Sequence, residues 1–376
     1  MNLPLWPLGL LAGLCLPPLQ VASQEAALEP DDAGGASAAR EPLEPLVDIG
    51  PIPPPQWKVI EPRSGPSSDT FSLKRSVAEF LVEDTILQAS SRTGFIAYSK
   101  RGPYRNVVFR NSIVTVAPGT IPLDRSYWAI RGYDMIDTLF ERVEITGFGK
   151  ITPKHDEGHA IYLNVAGSLT LTSCNIHHNG GQGLQVVNRP GETVLPVGPA
   201  AGTITIRNTS FRENGFNPDR GGFQVSLFGT GQAIVLEDVE ILAGLDGTPF
   251  PGDRTGGGLL IEVEAFNPRR PEKPVWWHPG RFEAGWKPPF GQGRTELTRV
   301  RVQHVNPDKS LVQIKGCQEL IVTDCDFRGG SIQLDHPRKP GRDCGRIEWR
   351  GNRGDALVFF QGSPLGRADE DFVIQP

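Results

Sequence analysis

An eight-residue pattern returns about eight times along this chain, and it limits the folds available more than any other feature. An apolar residue is followed two places on by another, then by a mostly polar stretch, with an apolar residue at the eighth place. The clearest copies begin at Leu169 (Leu-Thr-Leu-Thr-Ser-Cys-Asn-Ile), Ile204, Ile234 and Leu320. Weaker copies begin at Val107, Thr138, Thr295 and Ile347. The starts at 107, 138, 169, 204 and 234 are 31, 31, 35 and 30 residues apart. A fixed period of this size is the mark of an array. Alternation at two residues within each copy indicates strand rather than helix.

Between the copies runs a second series of short β-like segments: 159–163, 183–187, 223–227, 259–263, 311–315 and 332–335. Gly and Asn turn signals such as Asn179-Gly180-Gly181, Asn214-Gly215 and Gly329-Gly330 separate the two series. A unit of two short strands cannot bury its apolar face alone. Stacking on its neighbours at a strand spacing of about 4.8 Å gives a continuous core, hence a solenoid of β-coils. A sandwich would not repeat one strand pattern at this period, and a propeller blade needs four strands.

Gly158-His159-Ala160-Ile161-Tyr162-Leu163-Asn164, followed by Cys174-Asn175-Ile176-His177-His178-Asn179-Gly180-Gly181-Gln182-Gly183-Leu184, resembles consecutive coils of the right-handed parallel β-helix proteins of the pectate-lyase-like superfamily. The resemblance covers roughly residues 94 to 362 and implies an all-β solenoid of about eight to nine coils. That superfamily contains polysaccharide lyases, glycoside hydrolases, epimerases and members without catalysis. Its catalytic patterns do not carry over. Gln313-Ile314-Lys315 lacks the arginine of the hydrolase Arg-Ile-Lys, and Arg338-Lys339-Pro340-Gly341-Arg342 is one residue short of the lyase R-x-P-x-x-R.

The first 23 residues carry no charged side chain, hold a short apolar run at 8–14 and end in Val21-Ala22-Ser23. This reads as a secretory signal peptide, without the usual basic n-region, and the run is too short to span a bilayer. The expected destination is secreted or periplasmic. Residues 24–56 hold seven acids and one base, Arg40, and end in Pro53-Pro54-Pro55. A linker over 24–66 is expected, since such composition buries too little to offset the entropy of ordering. Removing its charge of −6 from the chain's −5 leaves a body near +1, with no nucleic-acid footprint. Phe71, Leu73, Val77, Phe80 and Leu81 have helix-like spacing, so 67–93 is expected to form an N-terminal cap with a short helix over the open sheet edge. The solenoid domain follows over 94–376, and a monomer is expected.

Cys174 and Cys325 hold the same place in copies four coils apart, so about 19 Å at the strand spacing. They read as buried apolar side chains. Cys317 and Cys344 each lie three residues before a copy, in adjacent coils. That is disulfide distance, in a compartment that permits one.

Aligning the second series with Ile161/Leu163, Leu184/Val186, Val225/Leu227, Ile261/Val263, Val312/Ile314 and Ile332/Leu334 inward turns Tyr162, Asn164, Gln185, Gln224, Ser226, Glu262, Glu264, Gln313, Lys315, Gln333 and Asp335 outward. Glu262, Glu264, Lys315 and Asp335 are the first candidates for catalysis. A lysine between acids can abstract a proton, and the acids can donate one or bind a cation, Ca2+ being the candidate ion. A solvated salt-bridge ladder is the plainer reading of the same stripe. The alternative catalytic set is His155, Asp156, His159 and His177, with His178 beside it, suited to acid–base chemistry or a metal or simply to capping a polar turn. The copies at Ile234 and Thr295 are 61 residues apart where about 30 are expected. The insertion, 265–294, carries Trp276, Trp277 and Trp286, which with Tyr162 suit the C–H faces of sugars. Folding of these rings into a satellite core is the rival account. The sequence thus leads to an exported β-helix protein that binds polysaccharide, with lyase or hydrolase cleavage as a candidate activity. A non-catalytic extracellular structural or adhesion solenoid is the alternative.

Overall fold

The computed structural model describes residues 46–47, 49, 58–60, 70–89, 93–98, 101, 103–117, 128–148, 159–165, 167–187, 202–215, 222–228, 233–247, 257–262, 294–305, 310–334 and 344–375. Every regular element among them is a strand, and the 24 strands form one sheet with mostly parallel pairing. No helix among the described residues is long and apolar enough to cross a membrane.

The repeat is the pairing register. Val107, Thr138, Leu169, Ile204, Ile234, Thr295, Leu320 and Ile347, the eight starts, are consecutive hydrogen-bond partners across parallel strands. Phe80 adds a ninth by pairing with Val107. The second series is a separate column, running Phe71, Phe95, Ile130, Ile161, Leu184, Val225, Leu259, Val312, Ile332 and Val358. Inward positions of both columns merge in one core. The aromatic members stack along it: Phe109 on Phe140 at 5.0 Å, Phe327 on Trp349 at 5.3 Å and Trp349 on Phe372 at 5.4 Å.

The apolar residue at the eighth place has a conformational cause. Simple alternation would send the first, third, fifth and seventh residues inward. Instead the fifth residue of each copy takes a left-handed backbone, which shifts parity so that the sixth and eighth face the core. Asp84, Asn111, Arg142, Ser173, Asn208, Asp238, Arg299 and Asp324 have φ between 43° and 56°, and Gly351 has φ 61°. Cys174 and Ile176, Val239 and Ile241, Val300 and Val302, and Cys325 and Phe327 are the buried pairs that follow. The corners also touch one another. Asn208 Nδ2 donates to Ser173 Oγ at 3.0 Å, and Arg299 donates to Asp238 through Nε and Nη2 at 2.6 and 2.8 Å. These hydrogen bonds pull the Asp238 carboxyl below its usual range.

The expected helical cap is a correction. Phe71–Leu73 and Phe80–Glu83 are strands, joined by 74–79, in which Val77 bridges Tyr104. Their apolar residues pack on Phe95, with ring centroids 6.0 Å (Phe71) and 5.6 Å (Phe80) away, and their backbones pair with the next strands. Spacing that mimicked a helix is two short alternating runs, and tertiary pairing decides the outcome. Within the expected linker, Lys58–Ile60 pairs in parallel with Thr85–Leu87, Leu46 N donates to Glu240 Oε1 at 2.6 Å, and Val47 is buried. The last strands reverse: Phe372–Ile374 pairs antiparallel with Arg346–Arg350, and Ser363–Arg367 with Leu357–Phe360.

Two outcomes follow for thermal unfolding. A chain starting at residue 45 keeps its midpoint within a few degrees of the full chain, whereas one starting at residue 66 loses several degrees more, because it lacks the strand at 58–60 and the Leu46–Glu240 contact; equal midpoints would show that these contacts contribute nothing. At the exposed corner residue Arg142, which already bears left-handed strain, Arg142→Gly should leave the chain about 1–2 kcal/mol more stable than the β-branched Arg142→Val; identical stabilities of the two variants would refute the corner's energetic role.

Candidate functional site

In four copies a second left-handed corner follows two places after the eighth residue. Gly147, His178, Glu213 and Gly329 hold it with φ of 85°, 53°, 52° and 75°. A buried amide ladder sets its inner side. Asn179 Nδ2 donates to Asn214 Oδ1 at 2.8 Å, Asn214 N donates to Gln224 Oε1 at 3.1 Å, and Gln224 Nε2 donates to Leu242 O at 2.6 Å. Asn179 Nδ2 also donates to His177 O at 2.9 Å, which fixes the backbone from which His177 and His178 project.

Outside the ladder these two histidines join two carboxylates. His177 Nε2 lies 3.2 Å from Glu144 Oε1, and His178 Nε2 lies 2.7 Å from Asp246 Oδ2. The two Nδ1 atoms are 2.9 Å apart, with the rings nearly perpendicular. Thr146 Oγ1 is 3.3 Å from His177 Nδ1. Carboxylates accept, so each Nε2 carries hydrogen. With Nε2 protonated on both rings, the two Nδ1 atoms face each other with lone pairs, and a proton or another cation shared between them would relieve their repulsion. On the next copy Glu213 accepts from Gly244 N at 2.5 Å and Leu245 N at 2.9 Å. Burial raises its carboxyl above the usual range despite those bonds, and nearby Asp246 adds to the rise.

A second cluster occupies the other column. Tyr162 is in register with Arg131 one strand before it. The Arg131 guanidinium lies 3.5 Å over the Trp128 ring, and its Nε donates to Tyr133 Oη at 2.7 Å. Tyr162 stacks on Trp128 at 5.8 Å and 10°, and on His159 at 6.1 Å and 16°. The Trp128 indole N–H is buried without a hydrogen-bond partner.

Of the residues singled out in the sequence, Glu262 and Lys315 are direct register partners, both half-buried. The alignment that first placed them was two residues off, because Leu259 rather than Ile261 is the partner of Val312. Glu262 therefore takes the place expected for Glu264. Asn164, Gln224 and Ser226, expected outside, are buried. Gln224 belongs to the amide ladder instead. Glu264, Asp335, His155, Asp156, Trp276, Trp277 and Trp286 lie outside the described residues, and with Glu264 and Asp335 go two of the three acids expected to bind Ca2+. His159 is buried, and its Nδ1 accepts from Gln182 N at 3.0 Å, a backbone-capping position. His177 lies within hydrogen-bonding distance of Glu144 and Thr146, and its Nδ1 abuts that of His178. Sequence reasoning missed Trp128, Arg131 and Tyr133, which extending the second column back through Ile130 would have found. It also missed Glu144, one copy before Asn175, and Asp246, which no spacing rule connects to His178.

Cys174 and Cys325 are buried in the core, and burial pushes both thiols up to about 12. Cys317 Sγ and Cys344 Sγ are 3.2 Å apart in the core, beside the Gly345 N to Cys317 O bond. Among the described residues no group of three or more His, Cys, Asp and Glu side chains is arranged to hold a metal ion. No protein-family model matches the chain, and neither a curated protein nor a solved structure matches it.

The approach of the two core thiols carries an expected outcome. Chain secreted through an oxidising compartment should yield the 317 and 344 peptides linked when mapped without reduction, with Cys174 and Cys325 as thiols. Recovery of 317 and 344 as unlinked thiols would rule the bridge out.

Proposed function

We propose that the chain is an exported right-handed parallel β-helix of the pectate-lyase-like kind, about eight to nine coils long, that binds acidic polysaccharide. In-register parallel pairing of every copy with its neighbours supports the solenoid reading. The observation that carries the binding reading is Arg131 lying over Trp128 within a cluster that includes Tyr133 and Tyr162. Aromatic rings take the C–H faces of sugars, and a guanidinium fixed in orientation pairs with a carboxylate bidentately. The unmet Trp128 N–H would find an acceptor in a sugar hydroxyl, since buried donors normally have partners. In this reading Glu262 and Lys315, on coils further along the same column, are the pair that would act on a bound uronate, Lys315 as the base at C5 and an acid as proton donor.

A non-catalytic structural solenoid is the second reading, and the ion-pair ladder favours it. Glu319 bridges Arg294 at 3.6 Å and Arg346 at 2.6 Å, and Arg346 reaches Glu348 at 2.9 Å. Exposed pairs of this kind contribute about 0–1 kcal/mol each and need no ligand to account for them.

A panel of uronate-containing and neutral polysaccharides separates the readings, scored for binding, new reducing ends and unsaturated-uronate absorbance. Arg131→Ala and Tyr162→Ala should each weaken uronate binding about tenfold, the equivalent of about 1.4 kcal/mol, with thermal midpoints nearly unchanged. Lys315→Ala should abolish turnover and spare binding. Absence of binding across the panel, or variants that bind as the parent does, would leave the structural reading standing.

A further inference from the structure

We propose that His177 and His178 form a two-histidine site for a divalent first-row transition ion, held through both Nδ1 atoms. This site is separate from the glycan-binding cluster and does not rest on it. Three observations carry the assignment.

The first is the hydrogen count. Each Nε2 faces a carboxylate, at 3.2 Å for Glu144 and 2.7 Å for Asp246. With those protons on Nε2, both Nδ1 atoms carry lone pairs, and the two atoms lie side by side at 2.9 Å. Metal-bound histidines show this arrangement, with the distal N–H held by a carboxylate that sets the tautomer and raises ligand basicity.

The second is the distance. Two nitrogens about 2.05 Å from one ion, at about 90° to each other, are about 2.9 Å apart. The two Nδ1 atoms are separated by 2.9 Å. A right-angle bite fits square-planar or octahedral ions better than a tetrahedral one, so Cu(II) and Ni(II) rank above Zn(II). Thr146 Oγ1, 3.3 Å from His177 Nδ1, borders the same space and can hydrogen-bond a water ligand of the ion.

The third is charge. Glu144 and Asp246 bring two negative charges to the histidine pair. A bridging proton leaves the group at −1, whereas a divalent ion neutralises it. Arg212, in register with His177 on the next strand, is bound to Glu240, and Glu213 adds a carboxyl on the Asp246 side. On the preceding copy the corner is Gly147, which has no side chain to fill the space. His178 is 48% exposed, so the ion and its remaining water ligands have access from solvent.

The test uses the full chain, stripped with chelator and titrated with Cu(II), Ni(II), Zn(II) and, as a control, Ca(II). The expected result is one equivalent of Cu(II) bound with nitrogen hyperfine structure in its electron paramagnetic resonance spectrum, Ni(II) next, Zn(II) weaker and Ca(II) not at all. His178→Ala, at an exposed position, should weaken Cu(II) binding at least tenfold. Glu144→Gln and Asp246→Asn should weaken it about 10- to 100-fold by releasing the rings. Circular dichroism of each variant checks that the fold is kept. Cu(II) affinity unchanged in His178→Ala and in His177→Ala would place the ion at another of the chain's histidines and overturn the proposal. So would a parent chain that takes up no Cu(II) or Ni(II) at micromolar concentration.

Discussion

Everything in this protein depends on a backbone angle that most residues avoid. At the fifth position of each copy the chain turns left-handed, and inward-facing side chains resume one residue later than alternation would place them. Without that shift the Ile176, Ile241, Val302 and Phe327 side chains would leave the core, and the strands could not keep their partners. The angle costs free energy for any residue but glycine, less for Asn and Asp, whose short polar groups bond locally. Yet the positions are filled by Asp, Asn, Arg and Ser, with glycine only at Gly351. Parallel hydrogen bonds on both flanks hold each corner, and corner side chains such as Arg299 and Asp238 pair between copies. The strain is carried by the sheet as a whole.

Much of this was legible in the sequence because it repeats. Eight starts chosen on an apolar pattern are eight consecutive register partners, since each strand must pair with its own equivalent for its apolar set to stay inside. Where repetition weakened, reading failed. The 71–81 stretch is two runs too short to reveal their period, and partners far along the chain decided their conformation. Leu259-Leu260-Ile261 is apolar throughout, so alternation could not say which residue faces in, and the register slipped by two.

The candidate sites were legible in proportion to their dependence on register. Glu262 and Lys315 lie on one column, so alignment brings them near each other even with the slip. The Arg131 and Tyr162 pairing follows the same logic, one strand before His159 along the column. Contacts across corners are different. Asp246 reaches His178 from 68 residues away on a turn after Ala243, where side-chain length and turn shape decide, and neither has a period. Gln224 shows the same limit: polar in sequence and outward by parity, it is buried because Asn214 and Leu242 satisfy its amide.

The reversal of the final strands has a consequence for the molecule's life among its own copies. A parallel sheet whose register is set by a repeat offers, at its last strand, the same backbone donors and acceptors that every earlier strand used to recruit its successor. A second chain's first strand would find them as readily as the chain's own. Phe372–Ile374 and Ser363–Arg367 occupy that frontier in the opposite direction, using up groups that would otherwise template filament growth. The antiparallel strands at 363–367 and 372–374 thus act as a stop signal written in strand polarity.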